Sequence, residues 1–199
     1  MIIFEGPPDS GKSTIINLLK LKYKLPSWDR ISQNLDTRKN GEIEASRYLL
    51  NLALCQATQF FKQPMIYDRF HISEYVFGTL HRNIYESFAR EHLLKVQEKI
   101  TKNNGIVILL TASTDTLIER QKDRNKICYS NYDLNNINSC FNDTFLILNE
   151  LFNVKTFNES IVKINTTNLN ITEVFQLVTK HLFYRNIFKY DVEDTTTFS

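Results

Sequence analysis

Gly6-Pro7-Pro8-Asp9-Ser10-Gly11-Lys12-Ser13 has the spacing G-x-x-x-x-G-K-[ST], a phosphate-binding loop, and its flanks give that spacing meaning. Ahead of it runs the apolar stretch Met1-Ile2-Ile3-Phe4, which reads as a strand. Behind it, Thr14-Ile15-Ile16-Asn17-Leu18-Leu19 carries apolar residues at helical spacing. A loop in this setting turns successive backbone N–H groups into one cavity at the positive end of the following helix. Gly6, Asp9, Ser10, Gly11, Lys12, Ser13 and Thr14 are the candidate donor-binding residues, with Lys12 reaching the β- and γ-phosphates and the Ser13 hydroxyl on Mg²⁺. With only five glycines in 199 residues, a chance match is a poor explanation, and binding of a nucleoside triphosphate is the inference.

The rest of the chain supplies the scaffold that such a loop requires. At 199 residues it is long enough for one domain with a central sheet covered by helices on both faces. Strands are expected over Lys24–Asp29, Pro64–Tyr67, Ile106–Leu110 and Ile161–Asn165. Helices are expected over Glu42–Phe61, Glu86–Lys102, from Thr114, over Asp133–Phe152 and over Ile171–Phe183. The long helix at 42–61 is apolar over much of its circumference and reads as largely buried. Lys122–Ser130 reads as a mobile polar segment. Alternation of this kind predicts an α/β chain with a parallel sheet and right-handed crossovers, and it puts the ligand site outside the carboxyl ends of the strands.

Composition limits the partners. A formal net charge of +2 gives no argument for nucleic acid or an anionic membrane. No apolar stretch approaches membrane-spanning length. Cys55, Cys128 and Cys140 have no metal-ligand spacing and read as reduced thiols of a cytoplasmic protein.

A second cluster falls where the third strand ends, at Tyr67-Asp68-Arg69-Phe70-His71-Ile72-Ser73. Beside nucleotide phosphates, the Asp68 carboxylate would hold the Mg²⁺ water shell or orient the acceptor, and the Arg69 guanidinium would bridge donor and acceptor phosphates. Arg120 and Arg124 lie one helical turn apart and would face one ligand as part of a closing lid that excludes water. Tyr75 reads either as a wall of the acceptor site or as core, and His71 either as a hydrogen-bond partner of the acceptor or, more commonly for its position, as a surface residue at a helix start. Asp29, at the end of the second strand, would act as a base toward a 5′-hydroxyl or bind the sugar.

On these residues the chain resembles the thymidylate kinase-like branch of the P-loop nucleoside and nucleotide kinases. The matching pieces are Phe4-Glu5-Gly6, Asp68-Arg69-Phe70 with Ser73, Leu117-Ile118-Glu119-Arg120 leading to Arg124, and Val162-Lys163-Ile164-Asn165-Thr166 before the closing helix. The resemblance implies a three-layer P-loop kinase fold with a five-stranded parallel sheet, one domain over residues 1–185 with a lid at about 120–131, and a tail at 186–199. It also implies ATP and Mg²⁺ as cofactors, a nucleotide acceptor, Arg47 as an acceptor-side arginine and a homodimer. The family's loop carboxylate falls one place late, at Asp9 after Pro8, and Ser27-Trp28-Asp29-Arg30 stands where cellular members carry an Arg-Glu-Pro-Gly run. The expectation is therefore a divergent, viral-type kinase acting on dTMP, dUMP or a modified pyrimidine monophosphate. A deoxynucleoside kinase and a nucleotide-binding switch module are the rival readings.

Overall fold

The computed structural model describes residues 1–29, 41–61, 63–82, 86–123, 129–153 and 160–187. Five strands form one sheet: β1 (Ile2–Glu5), β2 (Ser27–Asp29), β3 (Ile66–Asp68), β4 (Ile106–Thr111) and β5 (Ile161–Asn165). Their order is β2-β3-β1-β4-β5, and all four pairings are parallel. Among the described residues seven α-helices join and cover them: α1 (Lys12–Tyr23), α2 (Gly41–Ala57), α3 (His71–His81), α4 (Glu86–Lys102), α5 (Thr114–Asp123), α6 (Asn131–Leu148) and α7 (Ile171–Tyr184).

Strand alternation sorts the core into two layers. Ile3, Tyr67, Val107, Leu109 and Ile161 face one side, where α2, α3, α4 and α6 supply Cys55, Val76, Leu93 and Phe141. Ile2, Phe4, Ile66, Ile108, Leu110 and Ile164 face the other, against Ile16 and Leu19 of α1 and Val178 and Leu182 of α7. All six residues of β4 are buried, because a parallel strand covered on both faces has no solvent side. The chain is thus a three-layer α/β protein, and β1, at the sheet's centre, delivers the loop Gly6–Ser13 to its carboxyl edge.

Several boundaries move from their expected places. Lys24 belongs to no strand: it ends α1 in the left-handed region at φ 51°, and β2 begins only at Ser27. Helix α2 stops at Ala57 and a 3-10 turn covers Thr58–Phe60. Its apolar circumference is not fully covered by the described residues, since Leu49 is 63 % and Leu50 43 % exposed. Among described elements α2 packs chiefly on α4, which accounts for one side of it. Helix α3, for which the sequence marks only a start, packs on both α4 and α6. Helix α6 begins at Asn131, after Ser130, whose side chain accepts the Asp133 N–H as an N-cap. No described helix is long and apolar enough to cross a membrane. The tail from residue 188 and most of the segment expected to be mobile, residues 124–128, lie outside the described residues.

Candidate active site

The loop after β1 turns on two glycines with positive φ, Gly6 at 135° and Gly11 at 93°, and Asp9 is left-handed at 59°. Gly6 is needed for space as well as for conformation: a Cβ there would lie 2.0 Å from the Leu110 carbonyl oxygen. Gly11 opens α1, so the helix's first unpaired N–H groups end at the loop. Lys12 is buried, and its ammonium donates to the carbonyls of Gly6 (3.0 Å) and Pro7 (2.6 Å) and to Ser10 Oγ (3.1 Å). Burial holds the Lys12 pKa well below the usual lysine value, and nearby Arg69 lowers it further. Asp68, Glu5 and Asp9 pull the other way. Ser13 is exposed in the first turn of α1, and Thr14 is half-buried beside it.

Register places the second cluster next to the first. Phe4 pairs with Asp68 across β1 and β3, and the Arg69 N–H donates to the Phe4 carbonyl at 2.9 Å. Arg69 has φ 67°, a strained value for a residue with a side chain. That conformation turns the guanidinium toward the loop, where Nη1 donates to the Gly6 carbonyl at 3.2 Å and to Ser73 Oγ at 3.3 Å. The guanidinium also lies 5.2 Å from the centre of the Phe77 ring. Oδ1 of Asp68 is buried with no hydrogen-bond donor. A buried carboxylate oxygen of this kind suits Mg²⁺, which takes one or two carboxylates and fills its octahedron with water and phosphate oxygens. Among the described residues no three His, Cys, Asp or Glu side chains gather into a metal cage.

Glu5 is fully buried and organises this corner. Its carboxylate accepts the backbone N–H groups of Phe70 (2.8 Å), Ile72 (3.0 Å) and Ser73 (3.2 Å), and the Ser73 hydroxyl as well. Burial pushes its pKa up, against the hydrogen bonds from Ser73 and the charge of Arg69. Sequence reasoning marks Glu5 as a motif position without this role. The signal is a carboxylate ending a strand whose other residues are all apolar.

A cavity of about 180 Å³ adjoins the loop, with Ile15, Leu169, Ile171 and Val174 among its walls. Arg120 closes one side: Nη1 donates to Thr166 Oγ1 (2.9 Å) and the Asp9 carbonyl (3.4 Å), and Nη2 to the Thr166 carbonyl (2.8 Å). Thr166 Oγ1 donates in turn to the Thr111 carbonyl at 3.0 Å. The apolar wall residues are absent from the candidates read in the sequence, because isoleucine and leucine at helical spacing look like core.

The remaining candidates fall in different places. Tyr75 is buried in the core layer that holds Phe70 and Val76. His71 is fully buried, not on the surface, and its Nε2 lies 3.0 Å from Gln97 Oε1. The reason is that α3 starts beneath α4. Asp29 is in register with Asp68 across β2 and β3, although its side chain lies outside the described residues. Arg47 is on α2, its side chain likewise undescribed, and Arg124 lies outside the described residues.

No protein-family model and no curated protein matches the chain by sequence. Solved structures do match. The YorR protein of Bacillus subtilis, in complex with phosphorylated GDP, superposes with a TM-score of 0.68 at 18 % identity, over 95 % of this chain and 99 % of that one. Deoxyadenosine kinase from M. mycoides with bound dCTP gives 0.57 at 17 %, over 92 % and 100 %. Thymidylate kinase from Candida albicans gives 0.55 at 15 %, over 94 % and 92 %. The chain therefore has the P-loop kinase fold, in the architecture shared by nucleoside and nucleotide kinases.

Proposed function

We propose that this protein is a Mg²⁺- and ATP-dependent phosphotransferase whose acceptor is a deoxynucleoside monophosphate, dTMP or a close pyrimidine analogue. The observation that carries the reading is the shared carbonyl of Gly6, which accepts from both Lys12 Nζ at 3.0 Å and Arg69 Nη1 at 3.2 Å. Two cations converging on one oxygen repel each other, and Arg69 adds to the lowering of the Lys12 pKa. A polyphosphate bound between them would relieve that repulsion. It is a design for neutralising charge as it moves from donor to acceptor.

In this reading the loop amides and Lys12 hold the donor phosphates, and Arg69 spans donor and acceptor. The Ser13 hydroxyl and the Asp68 carboxylate would hold Mg²⁺, which would supply charge neutralisation to the donor phosphates. Arg120 closes the donor side. No side-chain nucleophile is required, since positioning and electrostatics account for the rate. A monophosphate acceptor also needs no strong general base. Glu5 would be a poor one, because its carboxylate is already occupied by four donors.

One observation favours a second reading. The register pairing of Asp29 with Asp68 puts a second carboxylate-bearing residue at the site's edge, as phosphorylation of a nucleoside 5′-hydroxyl would need. A product assay with Mg-ATP against a panel of nucleosides and monophosphates decides between them. Phosphorylation of monophosphates, retained in part by Asp29→Ala, supports the first reading. Phosphorylation of nucleosides alone, abolished by that substitution, supports the second. Nucleotide binding with no product from any acceptor would leave a binding module.

A further inference from the structure

Four polar side chains join one another inside the core layer that α3 and α4 build on the sheet. His71, Gln97 and Ser160 are fully buried and Thr101 is half-buried, beside the apolar Leu93, Val96, Ile100 and Ile161. His71 Nε2 lies 3.0 Å from Gln97 Oε1, and since an amide oxygen only accepts, Nε2 carries the ring's proton. Gln97 Nε2 donates in turn toward Thr101 Oγ1 and Ser160 Oγ, each at 3.4 Å, and these two hydroxyls lie 3.0 Å apart. The Ser160 carbonyl accepts the Val107 N–H at 2.9 Å, so the chain of bonds ends on the sheet. Replacing buried polar partners together by apolar groups of the same shape is often neutral or stabilising, so stability alone does not account for this tether.

Where His71 stands gives the tether a task. The Arg69 guanidinium rests on two residues of α3: Ser73 Oγ accepts from Nη1 at 3.3 Å, and the Phe77 ring centre lies 5.2 Å away. Those residues are one turn apart on one face, so a roll of α3 about its axis would carry the guanidinium off the Gly6 carbonyl. Glu5 grips the helix at Ser73, through both the backbone N–H and the hydroxyl. His71 comes two residues earlier, about 200° around the helix, and Gln97 grips it from that opposite side. Two grips on opposed faces fix the roll, whereas one alone leaves a pivot. We propose that His71, anchored by Gln97, is a positioning residue that sets the roll of α3 and thereby aims the Arg69 guanidinium at the Gly6–Ser13 loop. The inference rests on the proposed reading of Arg69 as the cation that spans donor and acceptor.

The test is the double substitution His71→Phe with Gln97→Met in the full chain, which removes both ends of the bond and keeps both volumes close. Its urea midpoint at pH 7 is expected to match or exceed that of the wild type. Turnover with Mg-ATP should nonetheless fall about tenfold or more, with KM for ATP held within about twofold. His71→Gln, which keeps a partner for Gln97, should recover most of kcat. A structural role alone would return kcat together with stability. A second readout needs no turnover: the heteronuclear NOE of the Arg69 Nε–H pair, identified by its loss in Arg69→Lys. It should drop in the double variant and not in His71→Gln. Wild-type kcat or a wild-type NOE in the double variant overturns the inference. If the wild-type chain phosphorylates no acceptor, the phosphotransferase reading fails and the NOE alone decides the positioning. Should the double variant not fold, Thr101→Val cuts the same tether at its half-buried end. Smaller changes of the same sign are expected there, and wild-type values overturn the inference equally.

Discussion

Glu5 caps helix α3 from the end of β1 by taking both the backbone N–H and the hydroxyl of Ser73. The N-cap residue of α3, Phe70, has no side chain able to accept, so the helix's first N–H groups would otherwise be buried without partners. This bond set also brackets Arg69, whose positive φ lies between the Glu5-bound Phe70 N–H and the strand.

Replacing Glu5 should therefore damage stability and turnover together. Glu5→Ala leaves several buried donors unpaired, and a loss of roughly 2 kcal/mol or more is expected in urea denaturation. Glu5→Gln keeps one acceptor oxygen for Phe70 and Ile72 and should recover much of that loss. If Arg69 is positioned by this clamp, the Gln variant still turns over several-fold more slowly while its KM for ATP holds. Full activity in the Gln variant would show that the strain at Arg69 is maintained elsewhere.

Lys12 should behave in the opposite way. Its ammonium is buried and its pKa is depressed, so the charged form is less comfortable in the folded chain than in water. Lys12→Met removes that penalty, and the thermal midpoint should stay level or rise. Turnover should drop on the order of a hundredfold or more, the usual cost of losing a group that stabilises transferred charge. A variant that fails to fold would mean that the three hydrogen bonds of Lys12 hold the loop in shape.

These two residues also mark how far the sequence could be read. Gly6, Gly11 and Lys12 act within one loop, β4 announces itself as an unbroken apolar run and β5 as Ile161, Val162 and Ile164 around one exposed lysine, so the local pattern suffices for these strands and for the glycine loop. The tie between Glu5 and Phe70 spans 65 residues, and no local spacing encodes it. Arg120 is similar. At the sequence level it belongs with Arg124 as a lid, but its partners are Asp9 and Thr166, which the fold brings together from both ends of the chain. Leu49 and Leu50 fail for a different reason: an apolar residue is compatible with burial without requiring it, and here both are exposed.

Thr166 is the hub of the cavity wall that Arg120 closes, and on the proposed reading of that cavity as the donor side its removal should separate binding from chemistry. Thr166→Val fills the same space and keeps the backbone N–H bond to the Thr111 carbonyl, but it loses the side-chain bond to that carbonyl and the acceptor for Arg120 Nη1. KM for ATP should rise about tenfold with kcat changed by less than about threefold, the pattern of a lost ground-state contact. Arg120→Ala should give a larger change of the same kind. A fall in kcat at constant KM for either variant would instead place Arg120 at the transferred phosphate.

His71 gives the fold a titration that can be isolated. Burial lowers its pKa to about 4 from the ordinary 6.5, and Nδ1 is buried without a partner, so the folded chain keeps the ring neutral. The unfolded chain binds a proton near pH 6.5. Between that pH and about 4 it therefore holds more protons at this site than the native state, and stability must fall as pH falls. The full contribution is present above pH 6.5. Across the window it amounts to about 3 kcal/mol, at about 1.4 kcal/mol per pH unit. His71→Gln retains a partner for Gln97 but cannot titrate. Urea midpoints measured for both proteins from pH 7 to pH 4.5 should diverge, with the wild type losing more. The contribution of Glu5 is common to both and cancels in the difference, so parallel curves would mean that the imidazole is protonated in the native state or is reached by water.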